Sequence, residues 1–140
     1  MTTEFLKLSK EHFDALKALQ RAYKREIGED EPSEEDLNHL LPAMESGAIL
    51  FYGCAVSGKL VACCSVSPTF STFDYRRGGV FEDFYICPEY RHRGIAGKLV
   101  RFAYEESGVS SLTVGCADCD ADMYRALGFS VPLGNLLAFG

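Results

Sequence analysis

The sequence predicts an α/β fold, in the α+β range, with a mixed central sheet and helices on both faces. Three observations predict it. Short apolar runs bounded by turn signals alternate with apolar stripes at helical spacing. Ser57-Gly58 separates two apolar runs as a two-residue hairpin does, so those two strands are antiparallel neighbours. A strand, a glycine-bearing loop, a helix and a further strand then follow one another over residues 80–115. The predicted order is β-α-α-β-β-β-α-β-α-β.

Residues 4–8 alternate Phe5 and Lys7 against Leu6 and Leu8, a short first strand. Ser9 can cap the helix that follows, where Phe13, Leu16, Leu19, Gln20, Tyr23 and Ile27 recur at helical spacing up to Gly28. Ser33 and Asp36 have capping-box spacing ahead of a second stripe, Leu37, Leu40, Leu41 and Met44. Pro42 is expected to kink or shorten that helix. Residues 49–56 and 60–67 are the hairpin strands, and residues 69–79 read as a polar, aromatic, glycine-ended loop. Residues 80–87 form an aromatic-rich strand stopped by Pro88. Leu99, Val100, Phe102 and Ala103 mark the next helix, ended by Gly108. Residues 111–115 are a strand, residues 120–127 a short helix closed by Gly128, and residues 136–139 a last strand.

With 140 residues, no repeats and no linker, residues 1–140 read as one domain. Hydrophobic residues are 47% and charged residues 24%, which suits a folded chain with its own core. No apolar run reaches the length of a membrane span, and the first ten residues lack a signal peptide's apolar stretch, so a cytoplasmic protein is expected. The net charge is −6 without a Lys/Arg block, which argues against nucleic acid as a partner. The six cysteines, Cys54, Cys63, Cys64, Cys87, Cys116 and Cys119, read as reduced, buried small hydrophobes. Cys116 and Cys119 have the spacing of half a zinc site, but no second pair accompanies them and no metal is expected.

Chemistry concentrates in residues 82–97. Arg91-x-x-Gly94-x-Ala96-Gly97 lies between a strand and a helix. Small residues there let backbone amides approach phosphate oxygens, and a helix N-terminus adds unpaired donors and partial positive charge. Arg91, His92 and Arg93 supply further donors. The loop lacks the P-loop and dinucleotide fingerprints. Taken alone, it fits a phosphate cradle and a glycine turn with solvated arginines equally.

The run Phe84-Tyr85-Ile86-Cys87-Pro88-Glu89-Tyr90-Arg91-His92-Arg93-Gly94-Ile95-Ala96-Gly97-Lys98-Leu99 resembles the acetyl-CoA-binding motif of the GNAT superfamily of N-acetyltransferases, (Arg/Gln)-x-x-Gly-x-(Gly/Ala). The predicted element order is similar to the GNAT fold over nearly the whole chain. The resemblance implies that amides from His92 through Arg93, Gly94, Ile95, Ala96 and Gly97 hold the pyrophosphate. It implies that Phe84, Tyr85 and Ile86 pair with the pantetheine arm as an added strand, and that the N–H near Ile86 polarises the thioester carbonyl. Met123-Tyr124-Arg125-Ala126-Leu127-Gly128-Phe129 resembles the family's closing Tyr-x-x-x-Gly-Phe segment, where the tyrosine protonates the departing thiolate. Tyr124 is the matching residue, a phenol of ordinary pKa about 10. Ala117 stands where the family often carries an asparagine that contacts the pantetheine.

Glu82 and Asp83 sit mid-strand, an uncommon place for two carboxylates. Strand alternation lets at most one of them face a reaction centre. A carboxylate there could bind a protonated amine and take its proton, directly or through water. Phe70-Ser71-Thr72-Phe73 and Gly78-Gly79-Val80-Phe81-Glu82-Asp83-Phe84-Tyr85-Ile86 resemble the diamine acetyltransferase branch of the family, which includes spermidine/spermine and thialysine acetyltransferases. That resemblance implies Glu82 as base, Asp83 as a substrate or structural carboxylate, and a polyamine or lysine-like acceptor. The acidic residues 29–36 read chiefly as a solvated loop and helix start. Family members are often dimers, and the last strand could pair across a homodimer interface. Two alternatives stand beside this reading. One is an acetyltransferase for a protein or peptide amine. The other is a non-catalytic acyl-CoA sensor, which would need neither Tyr124 nor Glu82.

Overall fold

A computed structural model describes residues 2–140. Its elements are β1 (Thr3–Lys7), α1 (Phe13–Glu26), α2 (Glu34–Glu45), β2 (Leu50–Val56), β3 (Lys59–Ser71), β4 (Arg76–Ile86), α3 (Ile95–Ser107), β5 (Ser111–Thr113) and α4 (Ala121–Ala126). The strands lie in the order β1-β2-β3-β4-β5. The first four are antiparallel and β5 joins β4 in parallel. Among the described residues, no helix is long and apolar enough to cross a membrane.

Period-two alternation along β2 and β3 feeds two cores. Tyr52, Cys54, Ala62, Cys64 and Val66 pack with Leu99, Val100 and Ala103 of α3 on one face. Phe51 and Cys63 pack with Phe13, Leu16 and Leu19 of α1 on the other, where Leu40, Leu41 and Met44 of α2 close the layer. β2 is therefore buried along its whole length. α2 starts as expected: the Asp36 amide donates to Ser33 Oγ at 3.0 Å, and the Ser33 amide donates to Asp36 Oδ2 at 3.1 Å. Pro42 does not shorten this helix, which runs on to Glu45. Pro42 lies on the exposed side, where water can take the carbonyl its missing N–H leaves free.

Three expectations need correction. Residues 69–79 are mostly not loop, since β3 continues to Ser71 and β4 begins at Arg76. The glycines read as loop signals, Gly78 and Gly79, are strand residues at a close approach. A Cβ on Gly79 would lie 2.6 Å from Val66 Cγ1 and 3.2 Å from Val109 Cγ1. Residues 136–139 form no strand. Leu136 does lie against Gly115 beside the end of β5, but Pro132 offers no N–H and Gly134 turns the chain at φ 107°. Finally, Cys54, Cys63 and Cys64 are buried, Cys87 is partly buried, and Cys116 and Cys119 are exposed, all as free thiols.

Candidate active site

The β4–β5 ladder covers only Gly78 to Val80, so β4 leaves its outer edge open from Phe81 to Ile86. The Cys87 amide donates to the Val61 carbonyl across β3 at 2.8 Å. Backbone direction alternates along a strand, so the Ile86 N–H and C=O point the other way, onto that open edge. Phe84 and Ile86 thus offer backbone groups to an extended ligand laid alongside, as in strand addition.

β4 also carries a bulge. Ser65 pairs with Glu82 and Cys63 with Tyr85, so Asp83 and Phe84 together oppose Cys64. Asp83 takes a left-handed backbone at φ 55°, the conformation that absorbs an extra residue. Three consequences follow. Phe84 returns to the Phe81 face, with ring centroids 5.4 Å apart. Asp83 turns to the Ser65 face, where buried Ser65 Oγ donates to Asp83 Oδ2 at 2.7 Å. Glu82, the direct cross-strand partner of Ser65, shares that face. The expectation that at most one carboxylate could serve a single face is thereby corrected: the bulge resets the alternation and puts both on the α1 side.

Beyond β4, the turn Pro88–Tyr90 leads into the start of α3. His92 at φ 62° and Gly94 at φ 82° are left-handed positions flanking Arg93. Such alternation turns successive amides toward a common concavity. No side chain caps α3, and Cβ atoms built on Gly94 or Gly97 would meet no protein atom within 4 Å. The first-turn amides are therefore unscreened, which is what a pyrophosphate requires. Arg93 and Lys98 line an adjacent cavity of about 320 Å³, adding positive charge. Arg91 differs from expectation. Its Nε donates to the Ile86 carbonyl at 2.8 Å and its Nη2 to Glu26 Oε2 at 2.9 Å, so two of its three nitrogens are engaged within the protein.

Tyr124 comes to the same cleft from α4. Its ring lies 6.4 Å from Phe84 and 5.8 Å from Phe129, and Phe129 lies 5.4 Å from Phe81. Burial among these rings, with a smaller contribution from Tyr23, pushes its phenol up to about 12. It is thus a protonated donor throughout the neutral range.

Tyr23 is the residue that sequence reasoning missed, because its helical spacing marked it as core. Burial, then the charge on Asp83, raise its phenol above the usual value, with further contributions from Glu29 and Glu82. Tyr23 and Tyr124 belong to the clusters on opposite faces of the sheet. Four α1 residues pair with the acidic stretch before and at the start of α2. Lys17 meets Glu34 at 2.8 Å, Lys24 meets Glu29 at 3.1 Å and Arg25 meets Glu31 at 3.1 Å. Arg21 also bonds Glu34. Glu29, Glu31 and Glu34 of that run are thus paired locally, in keeping with its solvated-face reading. Burial raises the Cys87 thiol above its ordinary value, which disfavours the thiolate.

An open strand edge, an uncapped helix start beyond it and a half-buried phenol beside both are the parts of an acyl-group transferase that takes a long phosphorylated donor. Residues 47–131 match the family model of the acetyltransferase (GNAT) domain, and the chain belongs to this family of acetyl-CoA-dependent N-acetyltransferases. Solved structures share its fold over essentially the whole chain. One, described as a possible acetyltransferase of Clostridium difficile 630, is 15% identical at TM-score 0.86, covering 100% of this chain and 98% of that one. A Clostridium acetobutylicum acetyltransferase with acetyl-CoA is 13% identical at TM-score 0.81, with coverages of 99% and 96%. An aminoglycoside acetyltransferase from an uncultured soil metagenomic sample, in complex with sisomicin, is 14% identical at TM-score 0.83, with coverages of 99% and 95%.

Proposed function

We propose that the acceptor is a small primary amine carrying a second cationic group, a polyamine or lysine-like molecule, acetylated directly without an acetyl-cysteine stage. The observation that carries this reading is the placement of Glu82 and Asp83 on one face beside the open edge of β4. Two carboxylates at one place match a dication better than a neutral-tailed amine.

Acetyl-CoA supplies an activated acetyl thioester and a thiol leaving group. The chain's residues do the rest. Amides from His92 to Gly97 hold the pyrophosphate, and the Phe84–Ile86 edge aligns the arm. The Ile86 N–H donates to the oxygen on which negative charge develops. Glu82 takes the ammonium proton, directly or through one water, and Asp83, fixed by Ser65, holds the amine in place. Tyr124 donates a hydrogen bond to the departing sulfur. With its phenol near 12 and a thiol's ordinary pKa near 8.5, full proton transfer from Tyr124 would be uphill. Its contribution is therefore mainly the hydrogen bond. The resemblance of residues 70–73 and 78–86 to the diamine acetyltransferases favours the same acceptor class, as does the bulged Glu-Asp pair.

The test is thermal stabilisation by acetyl-CoA, followed by free-thiol release over polyamines, lysine analogues, aminoglycosides and lysine peptides. Turnover led by polyamines or lysine analogues is expected. Turnover confined to peptides would assign a protein amine instead. Stabilisation without turnover of any amine would contradict an amine acceptor.

A further inference from the structure

The ion pair between Arg91 and Glu26 differs from the others in kind. Lys17, Lys24 and Arg25 reach only across the α1–α2 corner. Arg91 instead joins the last residue of α1 to the loop leaving β4, across 65 positions of sequence. Arg91 Nη2 contacts both oxygens of Glu26, at 2.7 and 2.9 Å. Its Nε holds the Ile86 carbonyl at 2.8 Å. Its guanidinium lies over the Tyr85 ring, 5.6 Å from the centroid. A planar fork pinned by a carboxylate, a carbonyl and a ring has little freedom left.

We propose that Glu26 is a positioning residue for acetyl transfer, acting through Arg91 to fix the end of β4 so that the Ile86 amide stays aimed along the open edge. This inference rests on the role proposed above for Ile86. Ile86 has its N–H and its C=O on the same edge, so a hydrogen bond that holds the carbonyl also fixes the direction of the amide. The ladder to β5 ends at Val80 and cannot restrain this stretch from the outside. Glu26 also ends the helix that carries Tyr23 toward Asp83, so one contact ties the acceptor side to the donor strand. An exposed ion pair adds little to stability, whereas a small misplacement of an aligned donor is costly in rate.

The experiment compares Glu26→Ala, Glu26→Gln and Arg91→Lys in the full chain. It reads kcat and the acetyl-CoA KM with the best amine of the panel, and amide hydrogen exchange over residues 84–92 in the free protein. Glu26→Ala is expected to lower kcat roughly tenfold with the acetyl-CoA KM within about twofold. Glu26→Gln, which keeps an acceptor for Nη2, should recover much of the loss. Faster exchange at Cys87, whose amide donates to the Val61 carbonyl, should accompany the fall in kcat. A raised KM with unchanged kcat would overturn the proposal, because Arg91 would then serve the phosphates. Unchanged kcat and unchanged exchange would overturn it as well. If Glu26→Ala does not fold, Arg91→Lys, which loses the fork that spans Ile86 and Glu26, decides on the same readouts with the same expected losses. If the wild-type chain acetylates no amine, the acceptor reading fails by itself. Exchange then decides on the brace, and unaltered protection at Cys87 in Glu26→Ala overturns it.

Discussion

On the donor side of the cleft the contacts are made by backbone: the free edge of β4, the left-handed pair His92 and Gly94, and the uncapped first turn of α3. On the proposed acceptor side they would be made by side chains: Glu82, Asp83 held by Ser65, and Tyr23 of α1 on the same face of the sheet. Backbone geometry needs only a few small residues at fixed spacing, so it leaves a short motif. Side-chain geometry depends on which elements meet, so it leaves almost none. The proposed donor half was accordingly marked by a motif in the sequence, and the proposed acceptor half was not.

Breaking the junction of the two halves should have the largest effect. Tyr124→Phe removes the hydrogen-bond donor and keeps the ring among Phe84, Phe81 and Phe129. It should lower kcat on the order of 100-fold while acetyl-CoA affinity, by calorimetry, changes less than about twofold. Because the phenol is pushed up to about 12, wild-type kcat should show no alkaline limb from Tyr124 below about pH 10. The sign for stability agrees: a phenol raised on folding contributes fully below its unfolded value of about 10. That contribution fades as the pH climbs through about 12.

A smaller effect isolates the acceptor side. Ser65→Ala removes the hydroxyl that holds Asp83 Oδ2. The amine KM should rise about three- to tenfold with the acetyl-CoA KM unchanged, and stability should fall by about 1 kcal/mol. An equal rise in both KM values would place Asp83 outside the acceptor site. The smallest effect belongs to Cys87. Its raised thiol pKa and partial burial make it a poor nucleophile, so Cys87→Ala should keep kcat within about twofold. Abolished turnover would restore an acetyl-cysteine route.

Helix stripes, the Ser57-Gly58 hairpin, the Ser33 cap and the glycine loop were legible because each is local. The extension of β3 and β4 through residues 69–79 was not. Gly78 and Gly79 look like loop glycines until Ser111 and Thr69 are seen against Gly78, and Val66 and Val109 against Gly79, in the space a Cβ would need. The bulge at Asp83 was also hidden, because register is decided by pairing with β3 and not by β4 alone. For the same reason, period-two alternation separated two carboxylates that the fold brings together. The motif marked Arg91 as a phosphate donor, and only the packing of α1 against the loop shows where its fork goes.

The central claim is that Glu82 and Asp83 act together on one dicationic acceptor. Its most direct test is kcat/KM for a diamine, measured against a monoamine of equal length from pH 6 to 9. Wild type is compared with Glu82→Gln and Asp83→Asn. The wild-type enzyme should prefer the diamine, and Asp83→Asn should erase most of that preference. Glu82→Gln should slow both amines, most severely at low pH where more of each amine must shed a proton. Equal preference in all three proteins, with pH profiles that superimpose, would contradict the account.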